Sequence, residues 1–561
     1  MLLWVKNTEK MRYGMNTAQL LVDCLEQEGV KYIFGIPGEE NLAVIEALAH
    51  SSIRFITTRH EQGAAFMADV YGRLTGRAGV CLATLGPGAT NLITGVADAN
   101  SDGAPLVAIT GQVGTDKMHI TSHQFLDLTK MFEPLTKRTK LVVRPDTVPE
   151  IVRLAFKYAE GGKPGATHID LPVNVAQMEV PEGERPMPRV EPIRGMADLA
   201  AVEEAAGLIF RAQSPVILVG SDAVHAGAAK ALCQMAEKLH IPVINTMMAK
   251  GMIPYDNKYA LWTIGIPQRD YANKVIEHAD VVITIGYDIV EYMPRHWNPN
   301  RSATIIHINT DRAHINKYYQ VAVEVVGDIS ESIYAILRRT TRHSEPEYAL
   351  KIREKIVAEH ESYANDDAFP MKPQRILYDV RKVMAPGDIV LSDVGAHKMW
   401  IARHYNCYEP NSCIISNGFA TMGIAVPGAI AAKLVHPEKR VLVITGDGGF
   451  MMNCQEFETA RRERTPFVTL IFNDQSYGLI KWKQMDQYGE SYFTDFTNPD
   501  FVKFAESMYA KGYRIERAAD LIPTLQEAFT LDVPAIIDCR VDYGENTKLT
   551  EHLRQVYAQQ D

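Results

Sequence analysis

The chain has 561 residues, of which 46% are apolar and 22% charged, and its net charge at pH 7 is −10. This length predicts three or four domains with sizeable cores, and the acidic balance, without a basic block or an arginine-rich arm, argues against nucleic-acid binding. No apolar run approaches the roughly 18 residues of a membrane span, and the seven cysteines form no CxxC pair, so we expect reduced thiols in a cytoplasmic protein without membrane association.

The first predicted α/β block covers residues 15–182. The leader before it, MLLWVKNTEKMRYG, lacks the apolar core and cleavage site of a signal peptide, and an extension ahead of a second start at Met15 is one interpretation. Short β-rich runs then alternate with helical segments such as AAFMADVYGRLTG, which is typical of βαβ units and a parallel sheet. The runs are KYIFGIPG, AGVCLATLGPG, APLVAITGQ and THIDLPVNV. A linker rich in proline, glycine and charge follows.

Two further α/β blocks are predicted over residues 195–340 and 370–545, joined by a charged connector that contains helix. The strand candidates of the central block are SPVILVGSDA, IPVINTM, ADVVITIGYD and ATIIHINTD. Those of the third block are GDIVLSDVG, KRVLVITGDGG, FVTLIFND and PAIIDCRVD. The predicted fold class is therefore α/β, with three doubly wound parallel-sheet domains. The first and third blocks share a pattern that raises the suspicion of duplication, and the polar tail after Tyr543 is predicted to be peripheral.

Two carboxylates come directly after predicted strands of the third block. Asp447 follows VLVIT, and Asp474 follows VTLIF. Adjacent parallel strands would bring both carboxylates to one edge of the sheet, where Mg²⁺, which prefers oxygen ligands, can bridge to a diphosphate. Gly446 and Gly448 would let the backbone approach a phosphate, and a helix beginning near Asn453 would point its amino end there. The alternative is a surface turn, but the spaced pair is far more specific than GDG alone.

This GDG…ND pattern resembles the signature of the thiamin-diphosphate enzymes, in which the second half is usually Asn-Asn. The resemblance implies thiamin diphosphate and Mg²⁺ as cofactors, with Asp447 and Asp474 as metal ligands and the carbonyl of Ser476 completing the protein's share. RHEQGAA, which contains Glu61, matches the RHE segment of acetohydroxyacid synthase-like enzymes. By that resemblance Glu61 bonds the aminopyrimidine ring and promotes loss of the thiazolium C2 proton. The alternative for Glu61 is a helix-starting acid stabilised by the helix dipole.

Further matches extend the resemblance from Thr17 to about Asp542. By position Met422 is the bulky residue that bends the cofactor, with core packing as the alternative. Gln124 matches a glutamine of the substrate cavity, and His123 before it has either a catalytic or a structural role. The remaining residues predicted to bind the cofactor are Gly395, Ala396, His397, Asn417, Gly446, Gly448, Gly449, Tyr477 and Gly478.

Three departures from the biosynthetic acetohydroxyacid synthases indicate the FAD-independent catabolic type. The segment YDIVEY with a following Trp297-Asn298 replaces one associated with FAD, so FAD is not expected. Gly395-Ala396-His397 replaces Gly-Gln-His. Lys483 stands where those enzymes have a tryptophan that selects 2-ketobutyrate, which favours pyruvate as both donor and acceptor.

The resemblance implies an acetolactate synthase reaction, in which two pyruvates give 2-acetolactate and CO₂ through a thiamin-diphosphate enamine. A 2-oxo acid decarboxylase, or a carboligase with other aldehyde or ketone acceptors, is the alternative, and Glu39 and Glu40 beside an anionic substrate keep it open. A non-catalytic regulator and an FAD-dependent oxidase fit the residues less well. Since the family places Glu61 and the metal site on different subunits, a homodimer or homotetramer with interfacial active sites is expected.

Overall fold

The computed structural model describes residues 14–190, 195–266, 270–341 and 343–549. All but the last residue of the predicted leader, and the final 12 residues of the tail (550–561), lie outside this described part. No helix in the described ranges combines the length and the apolar character of a membrane span.

The N-terminal domain is built on a parallel sheet of six strands. These are β1 (Tyr32–Gly35), β2 (Arg54–Thr57), β3 (Gly79–Ala83), β4 (Leu106–Gln112), β5 (Arg138–Leu141) and β6 (Ala166–Pro172). Their spatial order is β2-β1-β3-β4-β6-β5. The helices are α1 (Thr17–Gln27), α2 (Leu42–Ala49), α3 (Glu61–Thr75), α4 (Pro87–Ser101), α5 (Leu128–Phe132), α6 (Val148–Glu160) and α7 (Val173–Ala176), with 3₁₀ turns at Glu39–Asn41, Glu133–Leu135 and Pro145–Thr147.

The central domain has its own six-stranded parallel sheet. Its strands are β7 (Pro215–Val219), β8 (Val243–Asn245), β9 (Ala260–Thr263), β10 (Val281–Ile285), β11 (Thr304–Asn309) and β12 (Val321–Val326), in the order β12-β11-β10-β7-β8-β9. Its helices are α8 (Leu199–Arg211), α9 (Ser221–His225), α10 (Ala229–Leu239), α11 (Tyr271–His278), α12 (Pro294–Trp297) and α13 (Ile329–Leu337). Helix α14 (Glu347–Ser362) lies in the charged connector.

The C-terminal domain is also built on a parallel sheet of six strands. Its strands are β13 (Ile389–Ser392), β14 (Cys413–Ile415), β15 (Val441–Gly446), β16 (Val468–Asn473), β17 (Lys511–Ile515) and β18 (Ala535–Arg540), in the order β14-β13-β15-β16-β18-β17. Its helices are α15 (Pro373–Val383), α16 (Ala396–His404), α17 (Ala425–Val435), α18 (Asp447–Asn453), α19 (Glu456–Glu463), α20 (Gly478–Tyr488), α21 (Phe501–Ser507) and α22 (Leu521–Ala528), with 3₁₀ turns at Ala518–Asp520 and Tyr543–Thr547.

The predicted α/β class with three parallel sheets is confirmed. The two outer sheets have the same strand order relative to the chain, which is the arrangement that a duplication would produce. The central sheet has the doubly wound order of the dinucleotide-binding folds. The domain boundaries drawn from the sequence stay predictions.

The outer domains pack together through helices α3 and α17, whose apolar residues belong to one continuous core. Small residues allow this close approach: a Cβ on Gly428 of α17 would lie 2.8 Å from Val70 Cγ2 of α3. This packing brings the residue that begins α3, Glu61, toward the C-terminal domain. The prediction of a peripheral tail is wrong for its described part, residues 544–549, because Asn546 is buried and accepts a 2.7 Å hydrogen bond from Trp400 Nε1.

Candidate active site

Asp447 is fully buried beyond the carboxyl end of β15. Its Oδ2 accepts hydrogen bonds from the backbone N–H of Gln475 and from Asn498 Nδ2, both at 2.7 Å, and its Oδ1 accepts one from the N–H of Gly448 at 2.9 Å. Helix α18 begins at Asp447 and ends at Asn453, so the prediction of a helix beginning near Asn453 is wrong. Gly446 ends β15 and caps this helix, and Asp447 and Gly448 form the start of its first turn.

Asp474 follows β16 and lies close enough to Asp447 for the two carboxylates to repel each other. Burial, and next the charge of Asp447, raise the pKa of Asp474 to about 8, and burial also raises the pKa of Asp447. Two like charges at one sheet edge call for a cation, and carboxylate oxygens suit a hard one such as Mg²⁺. The described residues offer no cluster of three or more His, Cys, Asp or Glu side chains for a metal, so a backbone carbonyl and non-protein ligands would complete the shell.

The backbone at Ser476 is set up to present its carbonyl. Ser476 faces Asp495 in an antiparallel bridge. The flanking hydrogen bonds run from Tyr477 N to Thr494 O at 2.9 Å and from Phe496 N to Gln475 O at 3.1 Å. Ser476 therefore occupies the non-hydrogen-bonded position, where its own N–H and C=O point away from the partner segment. That geometry leaves the carbonyl available to a ligand.

His397 lies in the first turn of α16, directly beside the metal-site loop. Burial lowers the pKa of His397 to about 3, so the ring is neutral, and its Nε2 has no hydrogen-bond partner within the described residues. A Cβ on Gly446 would lie 3.4 Å from His397 Nδ1, and one on Gly395 would lie 2.8 Å from its Cε1. Gly395 caps the nine-residue helix α16, and Ala396 begins it, so backbone N–H groups also end here.

Tyr543 and the predicted glycines close the other side of the site. A Cβ on Gly478 would lie 2.5 Å from Asp474 Oδ2 and 3.1 Å from the Tyr543 ring, while one on Gly448 would meet the Tyr477 ring at 2.9 Å. The buried Tyr543 hydroxyl and Thr494 Oγ1 also have no hydrogen-bond partner in the described ranges. Buried polar groups are nearly always satisfied, so these atoms fit a ligand rich in oxygen acceptors such as a diphosphate. Sequence reasoning missed Tyr543 and Thr494.

Met422 is half-buried, and the residue after it is held by Asp393. Asp393, which follows β13, is buried and accepts hydrogen bonds from Gly423 N at 2.8 Å, from Val394 N at 2.7 Å and from Ala425 N at 3.4 Å. Burial raises the pKa of Asp393 to about 6. Gly423 has a left-handed backbone with φ of +89° that disfavours other residues. A Cβ on Gly449 would lie 2.9 Å from Asp393 Oδ1. Asp393 was not predicted as a site residue, although it follows a predicted strand, as Asp447 does.

Glu61 begins α3, and Asn91 Nδ2 donates to its Oε2 at 3.0 Å. A Cβ on Gly88 would lie 3.5 Å from Glu61 Oε1, and one on Gly86 would lie 2.8 Å from Gln124 Cβ. The turn at residues 86–88 therefore has Glu61 at one end and Gln124 at the other. Gln124 and the preceding His123 are exposed in this single chain.

Hydrogen bonds join the Glu61 segment to the C-terminal domain. Asn453 Nδ2, at the end of α18, contacts Gln62 Oε1 and the carbonyl of Gly423, both at 3.0 Å. Glu456 Oε1 accepts from the N–H groups of Arg59 and His60, both at 3.0 Å. The structure thus brings the segment of Glu61, the Met422 segment and the metal-site helix together.

Asn417 differs from the other predicted cofactor residues, because its polar groups already have partners. Its N–H donates to Asp102 Oδ2 at 3.1 Å, its Nδ2 donates to the carbonyl of Glu291 at 2.8 Å, and its Oδ1 accepts from Lys398 Nζ at 3.2 Å. These partners come from all three domains. The structure therefore places Asn417 at a domain junction.

Glu291, in the central domain, lies at the start of helix α9, beyond the carboxyl end of β7. Its Oε1 accepts from Ser221 N at 2.9 Å and from Ser221 Oγ at 3.0 Å, and its Oε2 accepts from Thr246 Oγ1 at 2.5 Å. Burial raises the pKa of Glu291 to about 8. In a sheet of this order the crevice beyond the carboxyl ends is where dinucleotides bind. Here the carboxyl group of Glu291, a residue of the chain itself, accepts hydrogen bonds from the donors at this edge, Ser221 and Thr246.

Three family models match the chain in the order of its sheets. They are described as the thiamine pyrophosphate enzyme N-terminal TPP binding domain (residues 15–135), central domain (202–336) and C-terminal TPP binding domain (393–539). An acetolactate synthase of Bacillus subtilis (strain 168) is 38% identical, with 95% of this chain and 94% of the relative covered. A probable acetolactate synthase large subunit of Methanococcus aeolicus is 36% identical (94% and 92% covered), and a catabolic acetolactate synthase of Raoultella terrigena is 35% identical (97% and 99% covered).

Proposed function

The chain belongs to the acetolactate synthase family of thiamine pyrophosphate enzymes, and from this premise we propose that it condenses two molecules of pyruvate to 2-acetolactate with release of CO₂. The resemblance inferred from the sequence motifs is thereby confirmed. The observation that carries the proposal is the convergence, through Asn453, of the Glu61 segment, the Met422 segment and the helix that begins with Asp447.

Thiamin diphosphate, when bound, supplies the electron sink for decarboxylation of a 2-oxo acid. We propose that Asp447 and Asp474 hold Mg²⁺ together with the carbonyl of Ser476. The neutral His397 and the Tyr543 hydroxyl, both buried, would donate or accept hydrogen bonds at the diphosphate. The support for this assignment is the carboxylate pair and the unsatisfied polar atoms around it.

Glu61 is proposed as the acid that holds and transfers a proton at the aminopyrimidine. Asn91 donates a hydrogen bond to Oε2 of Glu61, so the other oxygen, Oε1, remains available to carry the proton. Oε1 faces the turn at residues 86–88. Gln124, at the other end of that turn, is proposed to contact the substrate carboxylate. Positioned acids of this kind contribute about 10² to 10⁴ in rate.

Pyruvate is proposed as both donor and acceptor. Lys483 is exposed on α20. Burial, and to a smaller extent the charge of Lys483, lower the pKa of Lys398 to about 8, so the two amines lie within electrostatic range of each other. Trp482 instead packs partly buried against the core. A cation at position 483 favours a small anionic acceptor and offers no ring to hold a longer chain.

We propose that the enzyme works without FAD. The Glu291 carboxylate engages Ser221 and Thr246 at the edge where a dinucleotide would need donors, and a flavin diphosphate would have to displace it. Purified protein without visible flavin absorbance would agree with this, and stoichiometric bound flavin would contradict it.

A homodimer or homotetramer with shared active sites is also proposed, in the cytoplasm. The support is a set of exposed apolar side chains around the site, each more than 40% exposed: Phe419, Met451, Met452, Tyr477 and Phe493. Such a surface is usually covered by a partner. All seven cysteines lack a disulfide, as expected of a reducing compartment.

Product analysis tests the proposed reaction. The protein is incubated with pyruvate, thiamin diphosphate and Mg²⁺, and the products are separated. We expect 2-acetolactate as the main product. Acetaldehyde without acetolactate would favour the decarboxylase alternative, for which the exposed Gln124 and the open turn beside it leave room.

A further inference from the structure

The segment Ile415–Thr421, here called the strap, leads directly into Met422 and is bonded to buried charges of the N-terminal domain. Asp102 accepts from the N–H groups of Asn417 at 3.1 Å and Gly418 at 2.5 Å. Asp98 accepts from the hydroxyls of Ser416 and Thr421. Arg73 Nη1 donates to the carbonyl of Ile415 at 3.0 Å. Backbone and side chains of the strap are thus bonded along its length by residues of α3 and the α4 region.

The other two domains bond the same strap at Asn417. The central domain offers the carbonyl of Glu291 to its side-chain amide at 2.8 Å. The C-terminal domain offers Lys398, whose Nζ lies 3.2 Å from Asn417 Oδ1 and 3.3 Å from the carbonyl of Ser416. Asn417 is therefore a meeting point of all three domains.

The carboxyl groups that hold the strap are buried. Asp98 is 0% exposed and Asp102 2%, and both pair with Arg73, at 3.1 and 2.7 Å. Burying such a cluster costs free energy that an apolar core would not, so a role in fixing a unique geometry is a reasonable explanation for it. The geometry it fixes here is that of the strap.

Met422 is the single residue between this strap and the Asp393 clamp on Gly423. We infer that Asp102 and Asn417 are positioning residues, which fix Met422 from the N-terminal side and so couple the packing of three domains to the bend of the bound cofactor. The inference rests on the proposed function. A loosened strap would free the Met422 side chain, whereas Asp447 and Asp474 would be untouched.

The two carboxylates differ in how they should tolerate an amide. Asp98 receives hydroxyl donors from the strap, and a hydroxyl can turn to accept instead, so Asp98→Asn should keep the strap in place. Asp102 receives two backbone N–H groups, which cannot turn. Asp102→Asn would set an amide NH₂ against one of these N–H groups, and leaving that donor unsatisfied is costly.

The test compares Asp102→Asn and Asn417→Ala with Asp98→Asn, and with Asp256→Asn on the exposed surface as control. In the cofactor-free protein, amide hydrogen exchange of the peptide over residues 415–423 should be faster by about tenfold in the first two variants and unchanged in the others. In the loaded enzyme, exchange of the thiamin C2 proton should slow by about tenfold, with the Kd of thiamin diphosphate within about threefold of wild type.

Unchanged amide exchange in both Asp102→Asn and Asn417→Ala would overturn the inference. It would also be overturned if the strap loses protection while C2 exchange keeps its wild-type rate. Failure of wild-type protein to form acetolactate counts against the proposed function only, provided that C2 exchange still follows strap protection. If Asp102→Asn does not fold, Asn417→Ala decides the comparison.

Discussion

Asn453 donates a hydrogen bond to Gln62 Oε1 at 3.0 Å, and this contact joins the helix that begins with Asp447 to the residue that follows Glu61. The same amide also bonds the carbonyl of Gly423, beside Met422. One side chain thus joins, within one chain, the segments that carry the proposed acid, the proposed bending residue and the proposed metal site. Catalytic groups must be held to within fractions of an ångström, so a change in one of these segments should affect the others.

Glu61→Gln should remove most of the activity and leave cofactor binding nearly intact. The amide keeps the size of the side chain and its contact with Asn91, but it cannot take up and release a proton. We expect acetolactate formation to fall by about 10² to 10⁴ at unchanged thiamin diphosphate affinity. Glu354→Gln, on the exposed face of the connector helix, is the control. Activity of Glu61→Gln within threefold of that control (about 0.6 kcal/mol) would contradict the role of Glu61.

Asp447→Ala and Asp474→Asn should weaken the binding of Mg²⁺ to different degrees. Asp474→Asn keeps an oxygen ligand and loses a charge, so we expect the Mg²⁺ requirement to rise by about tenfold. Asp447→Ala also removes the acceptor of the hydrogen bonds from Gln475 N and Asn498, so its Mg²⁺ requirement should rise by much more. The measurement is a Mg²⁺ titration of activity at saturating thiamin diphosphate.

The control for the metal site is Asp495→Asn. Asp495 lies opposite Ser476, but its carboxylate is mostly exposed and pairs with Lys481 at 2.8 Å. We expect its Mg²⁺ dependence to match wild type. An equal Mg²⁺ requirement in Asp447→Ala and Asp495→Asn would show that the metal lies elsewhere.

The sequence predicted four strands in each sheet, and those are the four inner strands. Inner strands such as β10 (VVITI) are buried on both faces and give continuous apolar runs. The missed strands are the two edges of each sheet. Most are only three to five residues long, and β5 (RTKL) reads as polar because its edge position leaves it partly exposed. Four of the edge strands (β2, β5, β12 and β17) are partly exposed, whereas β9 and β14 are buried but only four and three residues long, which gives too short an apolar run to recognise.

The same limit applies to the candidate site. Asp447, Asp474 and Glu61 stood out because each lies in a short motif whose spacing can be read locally. Asp393 and Tyr543 did not, because their roles depend on segments far apart in the chain that meet only after folding. The residues after Tyr543 looked peripheral since they are polar, yet hydrogen bonds to the interior allow Glu545 and Asn546 to be buried.

Lys483→Trp should shift the acceptor preference toward 2-ketobutyrate. Position 483 is exposed on α20, whereas Trp482 is partly buried against the core, so we expect the new ring to face the acceptor side rather than the core. One methylene in an apolar contact changes selectivity by roughly tenfold. The measurement is the product ratio when both acids compete, with Lys351→Trp as control. An unchanged ratio would contradict the placement of residue 483 near the acceptor.

Glu291→Gln should flatten the pH dependence of stability. Burial raises the pKa of Glu291 from 4.5 to about 8, so between these pH values the folded protein keeps a proton that the unfolded chain has released. Stability therefore falls as pH rises through this window, by at most about 1.4 kcal/mol per pH unit from this group. The glutamine cannot titrate. Its carbonyl oxygen can still accept from Ser221, and its NH₂ group can donate to the Thr246 hydroxyl, which can turn to accept.

Thermal unfolding midpoints at pH 6 and pH 8 test the effect, since these values lie within or at the edge of the window set by the pKa of about 8. The unfolding midpoint of wild type should fall more between pH 6 and pH 8 than the midpoint of Glu291→Gln does. Glu204→Gln, on an exposed helix of the same domain, should behave like wild type. If the midpoints of wild type and Glu291→Gln fall by the same amount, the carboxyl group of Glu291 is ionised throughout this pH range. The central domain would then hold a buried charge at Glu291, with hydrogen bonds from Ser221 and Thr246, in place of the neutral acid inferred from its burial.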